Sequence, residues 1–312
     1  MKQHSNALKV VKPGPLTLIQ DFGRFGGSHL GLTQGGPVDD YAYSWANHLL
    51  GNTVNSPTLE ITLGQAEFEI LTDCTLAITG ANQQVTLDGE TITNWSTFNA
   101  NKGQRLKFGL TKNGLRTYLA IVSGFKAVDH FGSCATVVRD GVGGLNQDGQ
   151  PINTGDVFQC SPHTQHKKPI QLTFRYTPNY DLPLKLRVIE SYQSALFPTE
   201  SLQKFYQQRF TVSQHSDRMG YRLSGEEITP PKTELLSEGI ALGSIQVPPD
   251  GQPIVLLNDR QTIGGYPKIG CVARIDLPRL AQAKPGQDIQ FVKGDLLGLQ
   301  DAWCQWARFF GY

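Results

Sequence analysis

The sequence predicts a mainly β protein of two domains, and three observations carry that expectation. The chain of 312 residues exceeds one ordinary domain. Its 33 glycines and 18 prolines make 51 of those residues, above the roughly 12% of average usage, which marks a turn-rich chain. Short apolar runs bounded by Gly, Pro, Asn or Asp recur along its whole length.

In chain order the β-type runs are Leu16–Gln20, Ala66–Leu71, Leu76–Thr79, Arg105–Phe108, Thr117–Val122 and Ile170–Tyr176. The second half continues with Leu184–Ile189, Gly243–Val247, Ile254–Asn258 and Ile289–Val292. Each alternates or carries β-branched and aromatic side chains, which suit a half-buried pleated surface. Helical spacing occurs at Asp39–Leu50, which opens on acids and stops at Gly51-Asn52. It recurs at Pro198–Gln208, with Thr199 as the expected N-cap, and briefly at Leu277–Gln282. The C-terminal DAWCQWARFF places Trp303, Trp306 and Phe309 on one stripe, which reads as core or a partner contact.

Two short patterns recur in the same order. Gln20–Gly26 and Gln214–Gly220 share Q-x-x-x-R-x-G after a β-type run, and Lys102–Phe108 is matched by Pro285–Phe291. This suggests an internal duplication. The linker is expected in the Pro-rich stretch His163–Leu182, which divides the chain into domains at 1–175 and 183–312.

Composition excludes several functions. Twenty-eight Lys+Arg against 27 Asp+Glu leave +1, a poor basis for holding nucleic acid. The longest apolar runs, Tyr118–Val122 and Ile254–Leu257, are far too short to span a bilayer, and MKQHSNALKV has no export signal. A cytoplasmic protein is expected. The five scattered cysteines read as reduced thiols. His163 and His166 alone have a ligand-like spacing and lack further ligands nearby, so no metal is expected. G-x-x-x-x-G-K-[ST], G-x-S-x-G and H-E-x-x-H are all absent.

The candidate site is a polar, glycine-rich series in the second half. Asp259 stands at the end of the Ile254–Asn258 run beside cations and is the general acid/base candidate, with Arg218 and Lys268 as its catalytic partners. Asp217, Gln246, Asn258, Gln261, Thr262 and Tyr266 are the substrate-binding candidates; Glu238 belongs to the same series. Gln and Thr pair donors and acceptors with an amide or ureido group. Gly264 and Gly265 would let the backbone approach a ligand or adopt positive φ. A tight turn with satisfied side chains is the competing reading of NDRQTIGGYP. Asp21, Arg24, Gly35-Gly36-Pro37, Asp39 and Glu60 form a weaker counterpart in the first half. A nucleophilic Cys134 lacks an accompanying His pattern.

With these residues in place, the chain resembles the KipA family, also called allophanate hydrolase subunit 2 or the biotin-dependent carboxyltransferase family. The likeness rests on PGPLTLIQDFGRFGGSHLGLTQGGPVDDYAYSWANHLLGN, LEITLG, ITGA, YLAIVSG and FGSCAT. In the second half it rests on SDRMGYRLSG, SEGIALGSIQVPPDGQPIVLLNDRQTIGGYPKIG and PGQDIQF. Within the family the chain is most like the PxpC branch, the 5-oxoprolinase C-subunits. The resemblance implies two cyclophilin-like β-barrel subdomains with a few short helices. It implies a subunit, inactive alone, of an ATP-dependent 5-oxoprolinase that works with KipI/PxpB-like and PxpA-like partners, ATP being used by the complex. Two alternatives follow from the same likeness: a biotin-dependent carboxyltransferase acting on urea or a related amide, and a regulatory KipI-binding (antikinase) module. The chain departs from the family where Ile189-Glu190-Ser191-Tyr192 replaces a common Gly-Pro, and in LNQDGQPI near 145–150.

Overall fold

The computed structural model describes residues 4–163, 165–166, 168–232 and 235–312. The chain divides into two compact units, one of 1–25 with 35–181, the other of 26–34 with 182–312.

The first unit begins with β1 (Ser5–Pro13), β2 (Leu16–Gln20), helix α1 (Asp40–Leu49), β3 (Thr58–Thr62) and β4 (Ala66–Ile70). It continues with β5 (Cys74–Asn82), β6 (Thr86–Leu87), β7 (Glu90–Thr91), β8 (Ser96–Ala100) and β9 (Arg105–Lys107). β10 (Asn113–Ile121), β11 (Phe125–Lys126) and β12 (Val157–Cys160) complete it. These pair as a seven-stranded sheet, β11-β12-β1-β4-β9-β6-β7, and a five-stranded sheet, β2-β3-β10-β5-β8. Leu8 and Phe68 from one sheet and Ile61, Leu76 and Leu119 from the other meet in a single core, as alternating strands require. Asp39 caps α1, its carboxylate accepting the Ala42 N–H at 2.8 Å, so this helix starts where its acidic opening predicted.

The second unit contains β13 (Leu184–Glu190), α2 (Thr199–Gln207), β14 (Phe210–Val212), β15 (Gly220–Ser224), β16 (Glu238–Gly239) and β17 (Ser244–Gln246). β18 (Ile254–Leu256), β19 (Ile263–Gly264), β20 (Lys268–Val272), α3 (Leu277–Ala281), β21 (Asp288–Lys293) and α4 (Leu296–Phe310) follow. Seven of these strands close a barrel in the order β13-β20-β17-β18-β15-β14-β21, and β16 with β19 forms a separate two-stranded ribbon. Closure comes from the parallel pairing of β13 with β21, Leu184 to Val188 against Ile289 to Lys293. Phe205 of α2 stacks on Phe291 at 4.5 Å and 14°, plugging the barrel with two fully buried rings.

The mainly β architecture stands as predicted, and several local expectations change. The boundary between the units falls at 181/182, at the end of the expected linker stretch, and described residues before it strap the first unit. Gln165 donates to the Ala100 carbonyl at 3.0 Å, the His166 N–H to Thr75 Oγ1 at 2.9 Å and the Leu172 N–H to the Trp95 carbonyl at 2.9 Å. Thr164 and Lys167 of that stretch lie outside the described residues. The run Ile170–Tyr176 makes one isolated bridge, Ser96 to Gln171, and then a 3₁₀ turn, because it follows a sheet edge without entering it. Pro198, not Thr199, occupies the N-cap position of α2, without a side-chain cap bond. On α4 the aromatic stripe runs Trp303, Trp306, Phe310, with Arg274 above Trp303 at 4.0 Å; Phe309 is exposed. The second pair of repeat markers is not equivalent either: β9 lies between β4 and β6, whereas β21 joins β13 to β14.

Replacing Phe291 by alanine removes a ring from this plug. The expected loss is about 3–5 kcal/mol of unfolding free energy, measured by denaturant titration.

Candidate functional site

The site of the second unit follows from strand alternation. In β17 and the residue after it, Ile245 and Val247 enter the barrel core, so Gln246 between them faces outward. In β18, Val255 belongs to that core, while Ile254 and Leu256 join Ile240 in a small separate cluster outside it. Gln246 pairs across the ladder with Ile254 on one side and Lys268 on the other. The β16–β19 ribbon, with Glu238 opposite Gly264, carries the remaining polar groups of this face.

Gln246 is buried, and its Nε2 has no hydrogen-bond partner among the described residues, although a buried amide donor left unmade costs about 1–3 kcal/mol. Gly264 adjoins it: a Cβ there would stand 3.1 Å from Gln246 Nε2 and 2.8 Å from Ile240 Cδ1. Gly264 and Gly265 do not have positive φ, contrary to one expectation. At Gly264 the missing side chain makes room for side chains of this same chain.

Lys268 is buried, and its ammonium pairs with Glu238 Oε1 at 2.8 Å. Glu238 also accepts from Gln193 Nε2 at 2.8 Å and from the Tyr192 hydroxyl. The Lys268 ammonium, first, and then the Tyr192 hydroxyl hold the Glu238 carboxyl below the usual glutamate range. The same contact to Glu238 raises the Tyr192 hydroxyl above its ordinary value.

Arg218 and Asp259 form a second cluster. Arg218 Nε and Nη2 donate to the two Asp259 oxygens at 2.8 and 2.9 Å, a bidentate pair with both side chains buried. The Asp259 N–H bonds the Arg218 carbonyl at 3.0 Å, so the pair also clips two loops together. Asp259 follows the C-terminal end of β18, whereas Gln246 and Lys268 sit beside its N-terminal end. Asp259 is thus the counter-ion of Arg218 at a loop junction. Asp217 Oδ1 accepts the Met219 and Gly220 N–H groups at 2.8 and 3.0 Å, which makes it the residue that shapes this turn. Asn258 is buried next to Asp259, Gln261 and Thr262 are half-buried before the ribbon strand, and Tyr266 is largely exposed beyond it. Neighbouring Arg260 anchors the carbonyls of Ile240 and Leu257 at 3.0 and 3.2 Å.

Several residues of the weaker first-half counterpart hold loops and a helix start. Glu60 accepts the Tyr118 hydroxyl at 2.7 Å and the Val38 N–H at 3.1 Å, fully buried. Asp39 serves as the α1 cap. Asp21 accepts the Cys134 N–H at 2.8 Å and the Ser133 hydroxyl, while Arg24 donates to the His130 and Ser133 carbonyls at 3.0 and 3.1 Å. Burial, reinforced by Asp21, pushes the Cys134 thiol well above its usual range, so it lacks the thiolate a nucleophile needs. Among the described residues no group of three or more His, Cys, Asp or Glu could hold a metal, and no helix is long and apolar enough to cross a membrane. His163 is used otherwise, its Nε2 accepting the Thr75 N–H at 3.3 Å.

Sequence reasoning missed Tyr192 and Gln193 as site residues. The one available signal was the departure at Ile189–Tyr192 from the family pattern, which ends one residue before Gln193.

Two outcomes follow. Asp259→Ala removes the bidentate counter-ion of a buried guanidinium and should cost about 3–5 kcal/mol of stability, whereas the double replacement Arg218→Met/Asp259→Leu should recover much of it, as denaturant titration reads. A depressed Glu238 carboxyl contributes stability above the ordinary value of 4.5 and loses it as pH falls through the folded-state value. The stability gap between the native chain and Glu238→Gln should therefore be full near neutrality and close in acid, measured by thermal melts across pH.

The chain matches the carboxyltransferase domain, subdomain A and B, over residues 30–293. It is 38% identical over 295 residues to the 5-oxoprolinase C-subunit of Escherichia coli, spanning 93% of this chain and 92% of that protein. It is 28% identical over 310 residues to the urea amidolyase of Saccharomyces cerevisiae, spanning 92% of this chain and 16% of that much longer one. Among solved structures, TTHA0988 superposes with a TM-score of 0.84 at 33% identity, over 92% of this chain and 56% of that one. The urea carboxylase of Kluyveromyces lactis superposes with a TM-score of 0.88 at 25% identity, over 99% of this chain and 29% of that one. This chain belongs to the carboxyltransferase-domain family, subdomains A and B.

Proposed function

We propose that this chain is a subunit of an ATP-dependent 5-oxoprolinase, which opens 5-oxoproline to glutamate together with KipI/PxpB-like and PxpA-like subunits in the cytoplasm. The observation that carries the reading is the unsatisfied Gln246 donor on the barrel face where Lys268 is its cross-strand partner. A cyclic amide with a carboxylate offers both complements: a carbonyl oxygen for Gln246 Nε2 and an anion for Lys268. Similarity to the 5-oxoprolinase C-subunit over nearly the full length of both chains supports the same choice.

Ring opening breaks the lactam C–N bond, places the water oxygen on the carbonyl carbon and leaves a proton on the former ring nitrogen. In this scheme Gln246 withdraws electron density from the carbonyl and Lys268 holds the carboxylate, so the chain orients and polarises its substrate. The chain has no G-x-x-x-x-G-K-[ST] loop to cradle a triphosphate. No step through ATP is assigned to these residues, and its hydrolysis belongs to the complex.

A second reading is biotin-dependent carboxyl transfer to urea or a related amide, favoured by the carboxyltransferase family match and the urea amidolyase relative. The Gln246 donor suits a ureido carbonyl equally well. A KipI-binding regulatory module is the third reading, and it needs no intact polar face.

Glutamate formation from 5-oxoproline and ATP should require this chain beside both partner subunits. Full activity without it would exclude the first reading, and biotin-dependent carboxylation of urea would install the second. Gln246→Leu should lower kcat/KM by about 10–100-fold while the complex still assembles. A regulatory module would lose nothing by that substitution.

A further inference from the structure

The turn after β13 grips one residue of a distant strand from several sides. Ser191 Oγ donates to the Lys268 carbonyl, and Gln193 Oε1 accepts the Lys268 N–H at 2.8 Å. Through its other end Gln193 reaches Glu238 at 2.8 Å and the Tyr192 hydroxyl at 3.0 Å. Glu238 then meets the Lys268 ammonium at 2.8 Å. The backbone of Lys268 is thus tied to Ser191 and Gln193, and its side chain, by way of the ribbon carboxylate, to Tyr192 and Gln193.

This arrangement answers a physical need. A lysine side chain has four methylenes and about 2 kcal/mol of rotamer entropy, so burial alone does not fix where its ammonium stands. A carboxylate on a two-stranded ribbon is itself a movable anchor. Two donors from the 191–193 turn hold that anchor: Gln193, which is buried, and Tyr192, which is 75% exposed. The exposed ring contributes little to any core, and its hydroxyl contacts are those to Glu238 and Gln193.

We propose that Tyr192, Gln193 and Glu238 are positioning residues that fix the Lys268 ammonium beside Gln246, and thereby select a substrate carrying a carboxylate as well as an amide carbonyl. The substrate class rests on the function proposed above; the positioning itself does not. Gln193 acts on both the backbone and the counter-ion of Lys268, Glu238 sets the height of the ammonium over the barrel face, and Tyr192 locks Glu238 from the solvent side.

The test separates the two. In the full chain, Lys268 is labelled with acetic anhydride and followed by mass spectrometry against the exposed Lys185. Glu238→Gln and Tyr192→Phe should each raise the relative labelling rate of Lys268 several-fold, with Tyr192→Phe leaving the melting temperature nearly unchanged because its ring is exposed. In the assembled complex, both variants should raise KM for 5-oxoproline about 10-fold or more with a smaller change in kcat. Unchanged labelling and unchanged KM in both variants would overturn the proposal even if the native complex opens 5-oxoproline. Faster labelling in variants of a complex that never opens 5-oxoproline would uphold the positioning and remove the substrate assignment.

Discussion

Everything distinctive about the second unit depends on barrel closure by the parallel pair β13–β21. That pairing brings residue 184 beside residue 289, more than a hundred positions along the chain, and without it the remaining strands would present two open edges. A closed sheet has a fixed inside and outside, and each side chain is assigned to one of them by parity alone. Phe205, Phe210 and Phe291 fill the interior. The outer face of β17, β18 and β20 is then free to carry polar groups, provided something covers them.

The cover is the β16–β19 ribbon, and its chemistry explains the composition of the segment. Ile240 seats it on Ile254 and Leu256, an apolar patch too small to hold it strongly. Gly264 lets it approach Gln246, and Glu238 reaches the buried lysine beneath it. A buried charge is costly unless it is paired, so Glu238 and Lys268 keep one another in place. The Gln246 donor, left without a partner among the described residues, is the residual cost of this arrangement.

Arg218 and Asp259 show why residue type alone is a weak guide to role. Read along the chain, an aspartate at a strand end beside an arginine resembles a catalytic acid. In three dimensions the two make a bidentate pair whose backbones also bond, so the same residues also rivet two loops together. Asp217, Glu60 and Asp39 are drawn the same way into turns, caps and buried hydroxyl networks. Polar residues that a turn needs and polar residues that chemistry needs are the same types, and only their partners distinguish them.

The sequence by itself determined the mainly β class, the strands with clear alternation such as Ala66–Leu71 and Leu184–Ile189, and helix α1 with its acidic cap, because these depend on neighbours within a few residues. It also drew attention to 214–268, since glycines and polar groups crowd there. Tertiary structure decided the rest. That Ile170–Tyr176 straps a sheet edge, that the C-terminal stripe passes through Phe310 and not Phe309, and that Tyr192 and Gln193 belong to the site of Lys268 all rest on contacts between residues distant in the chain or on packing that spacing alone does not fix. Periodicity records which way a side chain faces along its own strand or helix. Which partner it meets is set by barrel closure and register, and those bring together residues 75 positions apart that no local pattern links.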